Sequence, residues 1–111
     1  MNLDKEMQAK LQEMQIIEQN LQNLLMQKQQ FQFELSESTS AIDEVKKSSD
    51  DVFKVVGQVM IKAKKSDVEK ELEDKINLFN LRLKSIDKQE DLLRKKFEEL
   101  QTEISGKLNK E

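Results

Sequence analysis

The stretch VFKVVGQVMIKA, residues 52–63, decides the fold because it is the part of the chain richest in strand-forming residues. Valine, isoleucine and phenylalanine dominate it, and these residues favour strands. Gly57 stands at its centre, and Gly57-Gln58 suits a type II′ turn, which needs a positive φ at its first central residue. The stretch therefore predicts a β-hairpin. Its expected pairs are Val56 with Val59, Val55 with Met60, Lys54 with Ile61, and Phe53 with Lys62.

Both faces of this hairpin would be apolar. One face would carry Val52, Val56, Val59, Ile61 and Ala63, and the other would carry Phe53, Val55 and Met60. A lone two-stranded hairpin is marginally stable in water, and its edges leave backbone groups unpaired. We therefore expect hairpins from several chains to pair their edges and close on one another. The expected oligomerisation residues are Val52, Phe53, Val55, Val56, Gly57, Val59, Met60 and Ile61. The alternative is a turn buried inside a monomeric helical hairpin.

Heptad patterns on both sides of the hairpin predict two coiled-coil helices, over residues 3–47 and 67–108. In the first, the seam positions are Leu3, Met7, Lys10, Met14, Ile17, Leu21, Leu24, Lys28, Phe31, Leu35, Ser38, Ile42 and Val45. In the second, they are Leu72, Ile76, Phe79, Leu83, Ile86, Glu90, Leu93, Phe97, Leu100 and Ile104. Ser66 and Glu69 would form a capping box that starts the second helix. The expected fold is mainly α, a single domain over residues 1–111 with an antiparallel coiled coil around one β-hairpin.

Two charged residues, Lys28 and Glu90, interrupt the apolar seams. Folding the helices back on each other places them in adjacent layers, and we hypothesise that they pair and fix the register. The alternative is that each side chain extends its charge into solvent along its own stem. Phe33, Leu78 and Leu81 lie off both seams, and we expect them to contact a neighbouring chain.

The ends of the two helices most distant in sequence from Gly57 bring together a group of apolar residues. This helix-end group comprises Leu3, Met7, Leu11, Met14, Phe97, Leu100, Ile104 and Leu108. Helix pairs fray at their ends, and methionine adapts to many apolar partners. The group is a candidate surface for adaptable apolar contacts with many partners. The alternative is a coiled-coil seam that simply ends there.

Composition excludes several classes of function. The 111 residues contain no histidine, no cysteine and only two glycines, so there is no thiol chemistry, no histidine or cysteine metal ligand and no glycine-rich phosphate loop. We expect no enzyme activity, no cofactor and no metal. The net charge of −3 with interspersed signs argues against nucleic acid as a partner. No apolar run suggests a signal peptide or a membrane span, so we expect a cytoplasmic protein.

Several blocks of the sequence together carry a resemblance to a known family. They are Gln27-Lys28-Gln29-Gln30, the hairpin from Phe53 to Ile61, Leu81-Arg82-Leu83-Lys84 and the pair Gln89-Glu90. In order and spacing this pattern resembles the β-class subunit of archaeal prefoldin over nearly the whole chain. The segment between Ser48 and Lys65 has room for one hairpin, whereas the α class has two.

The resemblance implies an ATP-independent holding chaperone. In that family two α and four β subunits join their hairpins into a barrel body that carries six coiled coils. The coiled-coil tips hold unfolded proteins and deliver them to a group II chaperonin. The implied partners are thus an α-class subunit, further copies of this chain, unfolded clients and the chaperonin. A structural coiled-coil adaptor that recognises one folded partner is the competing interpretation.

Overall fold

The computed structural model describes residues 4–110. Helix α1 spans Lys5–Lys47, strand β1 spans Val52–Val56, strand β2 spans Val59–Ala63 and helix α2 spans Lys65–Lys110. This element order confirms the mainly α fold with one central β-hairpin. Two compact units emerge, one made of residues 29–84 and the other of the described parts of 1–28 and 85–111.

The hairpin in the unit of residues 29–84 has the predicted register. Val56 pairs with Val59 and Val52 pairs with Ala63, with the three intermediate pairs as expected. Gly57 has a φ of 61°, and Gln58, the second central residue, does not have a positive φ. That combination belongs to the type II′ turn, since a type I′ turn would need positive φ at both central residues.

The helical part of the same unit packs along the predicted seam. Ile42 is buried, and Leu35 and Leu83 are half-buried. The rings of Phe31 and Phe79 meet across the seam with their centroids 6.1 Å apart. Tilted aromatic pairs at this separation add to the stability gained from area burial.

The connection from the hairpin to α2 differs from the predicted capping box. Helix α2 begins at Lys65, and the carbonyl of Lys64 accepts hydrogen bonds from the amides of Asp67 and Val68 at 3.1 Å each. Lys64 is therefore the N-cap, and Ser66 lies inside the first turn, so the predicted capping box is wrong. The side chain of Lys65, the first residue of the helix, makes contacts elsewhere in the unit.

Lys65 closes the end of α1. Its Nζ donates to the carbonyl of Lys46 at 3.0 Å and to that of Ser48 at 2.9 Å. The last carbonyls of a helix have no partners within the helix, and a lysine is a favourable partner for them. The first residue of α2 thus caps the end of α1, which links the two helices at the base of the hairpin.

The second unit is an antiparallel helix pair with a continuous seam. Its buried residues are Met7, Ile17, Leu24, Ile86, Glu90 and Leu100. Other described seam positions, such as Met14, Leu21, Leu93 and Phe97, are half-buried, whereas the outward-facing glutamines are exposed. The heptad assignment therefore holds at every seam position that the structure describes; Leu3 lies outside the described residues.

Candidate functional site

The hairpin exposes most of its apolar side chains. Six of them are 45–66 % exposed, and they are Phe53, Val55, Val56, Val59, Met60 and Ile61. Val52, by contrast, is buried, and its partner Ala63 is half-buried. Residues of the same unit therefore cover the base of one face and leave the rest of both faces open.

Ion pairs hold the hairpin at its base. Lys54 Nζ lies 2.7 Å from Glu71 Oε1 on α2, and Lys62 Nζ lies 3.0 Å from Asp51 Oδ2. The hydrogen bond from Lys54 lowers the pKa of Glu71 against the opposing effect of desolvation. These contacts fix the hairpin against its own unit and leave the apolar side chains of β1 beyond Val52 exposed.

The hairpin also has two open edges, because its sheet contains only β1 and β2. An open edge offers backbone donors and acceptors to another strand. With apolar faces and free edges together, the hairpin can join strands from another chain through both backbone pairing and side-chain burial. No other group of described residues combines both features.

The helix-end group is mostly packed in the seam rather than exposed. Met7 and Leu100 are buried, and Met14, Phe97 and Ile104 are half-buried. Leu11 is also half-buried, Leu108 is exposed, and Leu3 lies outside the described residues. In the closed helix pair, most of this group therefore reaches a second protein only if the helices separate.

Polar contacts hold the two helix ends together. Asp4 is the N-cap of α1, since its Oδ1 accepts the Met7 amide hydrogen at 2.7 Å, and it forms an ion pair with Lys107. The hydrogen bond from Lys107 lowers the pKa of Asp4 and raises that of Lys107. The Asp4 carboxylate therefore stabilises the folded chain fully above pH 3.8, the ordinary pKa of an aspartate. This stabilisation is lost as the pH falls through the lowered pKa of Asp4. Lys10 Nζ makes a further cross-helix contact to Glu103 Oε2 at 3.1 Å.

The structure brings Lys28 and Glu90 together as expected. Lys28 Nζ lies 3.2 Å from Glu90 Oε1 and 3.1 Å from Asp87 Oδ1, while Arg94 contacts Glu90 Oε2 at 3.3 Å. The hydrogen bond to Asp87 is the main cause of the raised pKa of Lys28, with Glu90 second. Glu90 is buried and its counter-charges are arranged around it. That this cluster fixes the register stays a prediction.

Sequence reasoning missed a second set of apolar side chains in the unit of residues 4–28 and 85–110. Its members, Ile16, Leu25, Met26 and Leu92, are all exposed. All four lie off the heptad seams, which is the signal that singled out Phe33, Leu78 and Leu81 in the other unit. Applying that criterion to the whole chain would have found them.

The described residues also bear on two other classes of site. Among residues 4–110, no cluster of acidic side chains has the arrangement to hold a metal ion. Neither α1 nor α2, over its described length, is apolar enough to cross a membrane.

Comparison with known proteins identifies the family. The family model described as "Prefoldin subunit" matches residues 8–111. The chain belongs to the prefoldin family. This confirms the resemblance that the hairpin and its flanking blocks suggested.

Relatives within the prefoldin family carry the β-subunit name. The prefoldin subunit beta of Saccharolobus islandicus is 37% identical over 97% of this chain and 87% of its own length. That of Thermococcus kodakarensis is 36% identical over 96% and 93%. The crystal structure of the prefoldin beta subunit from Thermococcus strain KS-1 matches with a TM-score of 0.88 and 34% identity, over 96% of each chain. The single hairpin agrees with the β-class prediction.

Proposed function

We propose that this prefoldin subunit is part of an ATP-independent holding chaperone that binds unfolded proteins and passes them to a group II chaperonin. It acts as one domain over residues 1–111 and assembles with an α-class subunit and further copies of itself. Its site of action is the cytoplasm. The observation that carries the proposal is the exposed hairpin of a family member whose relatives are named prefoldin subunit beta.

Assembly follows from the exposed apolar area of the hairpin. Burial of a large apolar side chain contributes roughly 1.5–3 kcal/mol. Six such side chains remain largely open to solvent, and both strand edges are free. Joining hairpins into a closed barrel pairs the free edges and buries the face that turns inward, and it packs the outward side chains beside those of the adjoining strands. Several helix pairs would then be carried by one body.

Client binding at the helix ends requires the seam to open locally. Met7 and Leu100 are buried in the closed pair, so a client contacts them by replacing part of the intrachain packing. Exchanging packing within the chain for packing against a client yields little net free energy of binding. Several helix pairs acting together convert weak contacts into useful affinity, and release then needs no nucleotide.

The test measures aggregation of several unrelated denatured proteins diluted into the assembly without nucleotide. We expect the intact assembly to suppress aggregation of all of them. Removal of residues 1–9 and 102–111 should leave the number of subunits in the assembly unchanged, as judged from its native mass after correction for the deletion. The shortened assembly should suppress aggregation less well. Protection of only one native partner would favour the adaptor interpretation instead.

A matched pair of point variants locates the client surface more sharply. Leu108→Gln removes an exposed leucine at the end of α2, and Leu92→Gln removes an exposed leucine elsewhere on the same helix. We expect Leu108→Gln to weaken holding and Leu92→Gln to leave it unchanged. Equal losses from both variants would place the client along the helix faces rather than at the helix ends.

A further inference from the structure

We infer that the outward side of α1 in the unit of residues 4–28 and 85–110 is a second contact surface for non-native proteins, separate from the helix-end group. This surface, the neutral face, comprises Gln19, Gln22, Asn23, Leu25 and Met26. The paired stretch of α2 does not share the role. The inference rests on the proposed function and adds to it the helix and the chemistry through which clients are held.

The neutral face lies in a stretch of α1 that carries no charge. No charged residue occurs between Glu18 and Lys28. Lys28 occupies a seam position, where it pairs with Glu90, so its charge does not belong to the outward side. All five residues of the neutral face are exposed, and their spacing of three or four residues places them on adjoining turns of one side. The outward side of a solvated helix ordinarily carries charges.

The paired stretch of α2 has the opposite character. Contacts of Lys28 with Asp87 and of Lys10 with Glu103 place the neutral face opposite the part of α2 between these two acidic residues. Apart from Leu92, the outward positions at the start of that part are all charged, and they are Asp87, Lys88, Asp91, Arg94 and Lys95. Both helices share one seam and one solvent, so solubility alone does not explain why only α1 lacks charge. Contact with a partner on the α1 side does.

The polar groups of the neutral face are carboxamides with no partner in the described chain. Within residues 4–110, none of Gln19, Gln22 and Asn23 makes a side-chain hydrogen bond. Each carboxamide offers two N–H donors and a carbonyl acceptor. A non-native segment presents unpaired backbone N–H and C=O groups, whereas a folded protein has paired nearly all of its own. These side chains therefore suit the backbone of a client whatever its sequence.

The apolar groups of the neutral face suit varied client side chains. Leu25 is 49 % exposed and Met26 is 69 % exposed. Methionine is flexible and polarisable, and binders that accept many partners use such adaptable surfaces. Because the face carries no charge, contact buries no ion and repels clients of neither sign.

The extent of the neutral face argues for a mobile segment rather than a folded partner or a second copy. A stable interface between folded proteins uses roughly 20–30 residues a side, and this face offers five. A contact of this size is weak when made once. Repeated on every copy in an assembly, it gains affinity from multivalency, as the helix-end contacts do.

Site-directed photo-cross-linking tests the contact, because the chain contains no cysteine of its own. A thiol-reactive benzophenone is attached to chains carrying Met26→Cys, Leu92→Cys or Leu108→Cys, which are then assembled and illuminated with a denatured client. Met26 and Leu92 are 69 % and 68 % exposed, so they are a matched pair on the two helices. We expect client adducts from Met26→Cys and Leu108→Cys and few from Leu92→Cys. The same client in its native state should give few adducts from any of the three.

Holding measurements give a second readout on chains without a label. Met26→Gln should raise the concentration of assembly that halves aggregation roughly two- to tenfold, because part of an apolar contact is lost. Leu92→Gln should leave that concentration unchanged. Gln22→Glu keeps the shape of the side chain and adds a negative charge. At low salt it should weaken holding of negatively charged clients at least about twofold and spare positively charged ones. Clients of opposite sign are the control, since general damage to the assembly affects both.

The outcomes separate this inference from the proposed function. No adduct from Met26→Cys, in an assembly that still suppresses aggregation, would overturn the inference and leave the proposed function intact. Similar yields from Met26→Cys and Leu92→Cys would also overturn it, since the client would then meet both helices without preference. Adducts of Met26→Cys with another subunit instead of the client would assign the face to assembly and overturn it as well. An unlabelled assembly that suppresses no aggregation would refute the proposed function, and the inference with it.

Discussion

Replacing Val55 and Val59 together with lysine should dissociate the assembly while leaving the helices folded. The two residues lie on opposite faces of the hairpin and are 65 % and 59 % exposed in the single chain. Their substitution therefore removes little packing within the chain. Any large effect must arise from contacts with other chains.

The expected magnitude follows from the area still open to burial. Full burial of a valine is worth roughly 1.5–3 kcal/mol, and about three fifths of each side chain remains to be buried. The pair therefore contributes between roughly 1 kcal/mol per copy, where only the inward valine is buried, and roughly 4 kcal/mol, where both are. Since each 1.4 kcal/mol changes an equilibrium constant tenfold, the association should weaken by about 5- to 700-fold. The cost of burying two ammonium groups adds to this loss.

Native mass spectrometry gives the mass of the assembly, and circular dichroism gives its helix content. Ile16→Lys with Leu92→Lys is the matched control, because both residues are similarly exposed on the helices and the net charge changes from −3 to −1 in either variant. We expect the control to retain the native mass. A Val55/Val59 variant of unchanged mass would refute the claim that the hairpin joins the chains.

Further variants test the structure at three places, the turn, the seam and the ion cluster. Gly57→Ala should lower the free energy of unfolding by about 1–2 kcal/mol, because Gly57 has a positive φ. Gly106→Ala, in open space on α2, should raise the free energy of unfolding by about 0.5–1 kcal/mol. Denaturant titration distinguishes the loss of stability from the gain. Leu100→Ala should cost about 2–5 kcal/mol in the same titration, and a loss below 1 kcal/mol would mean that the seam is loose there. Lys28→Leu and Glu90→Leu should each destabilise the chain and show favourable coupling in a double-mutant cycle; coupling near zero would remove their role in the register.

The sequence was sufficient to predict the hairpin because several independent signals agree there. The β-branched residues favour strands, Gly57 supplies the turn, and the apolar pattern sets the register. Heptad periodicity was equally sufficient for the seams, since a buried stripe imposes a regular spacing. Such agreement between local preference and overall fold is typical of a well-specified structure.

Features that depend on tertiary contacts could not be read from the sequence in the same way. Ser66 and Glu69 match a capping box, yet the helix begins at Lys65, whose side chain reaches the carbonyls of Lys46 and Ser48. Asp87 joins the Lys28 cluster from a position beside the seam, which the apolar pattern does not single out. In both cases a long, flexible side chain chooses its partner only after the helices have packed.

The helix-end group illustrates a limit of pattern analysis that bears on mechanism. A heptad pattern identifies residues that can be buried against something, but it does not distinguish a partner helix from a client. In the closed pair Leu100 packs within the chain, so intrachain packing and client binding compete for the same surface. Under the proposed function, a stronger seam at this end would hold clients less well. The stability of the helix pair and its holding capacity are therefore opposed, which gives a physical reason for the methionines and exposed ion pairs at an end that must open.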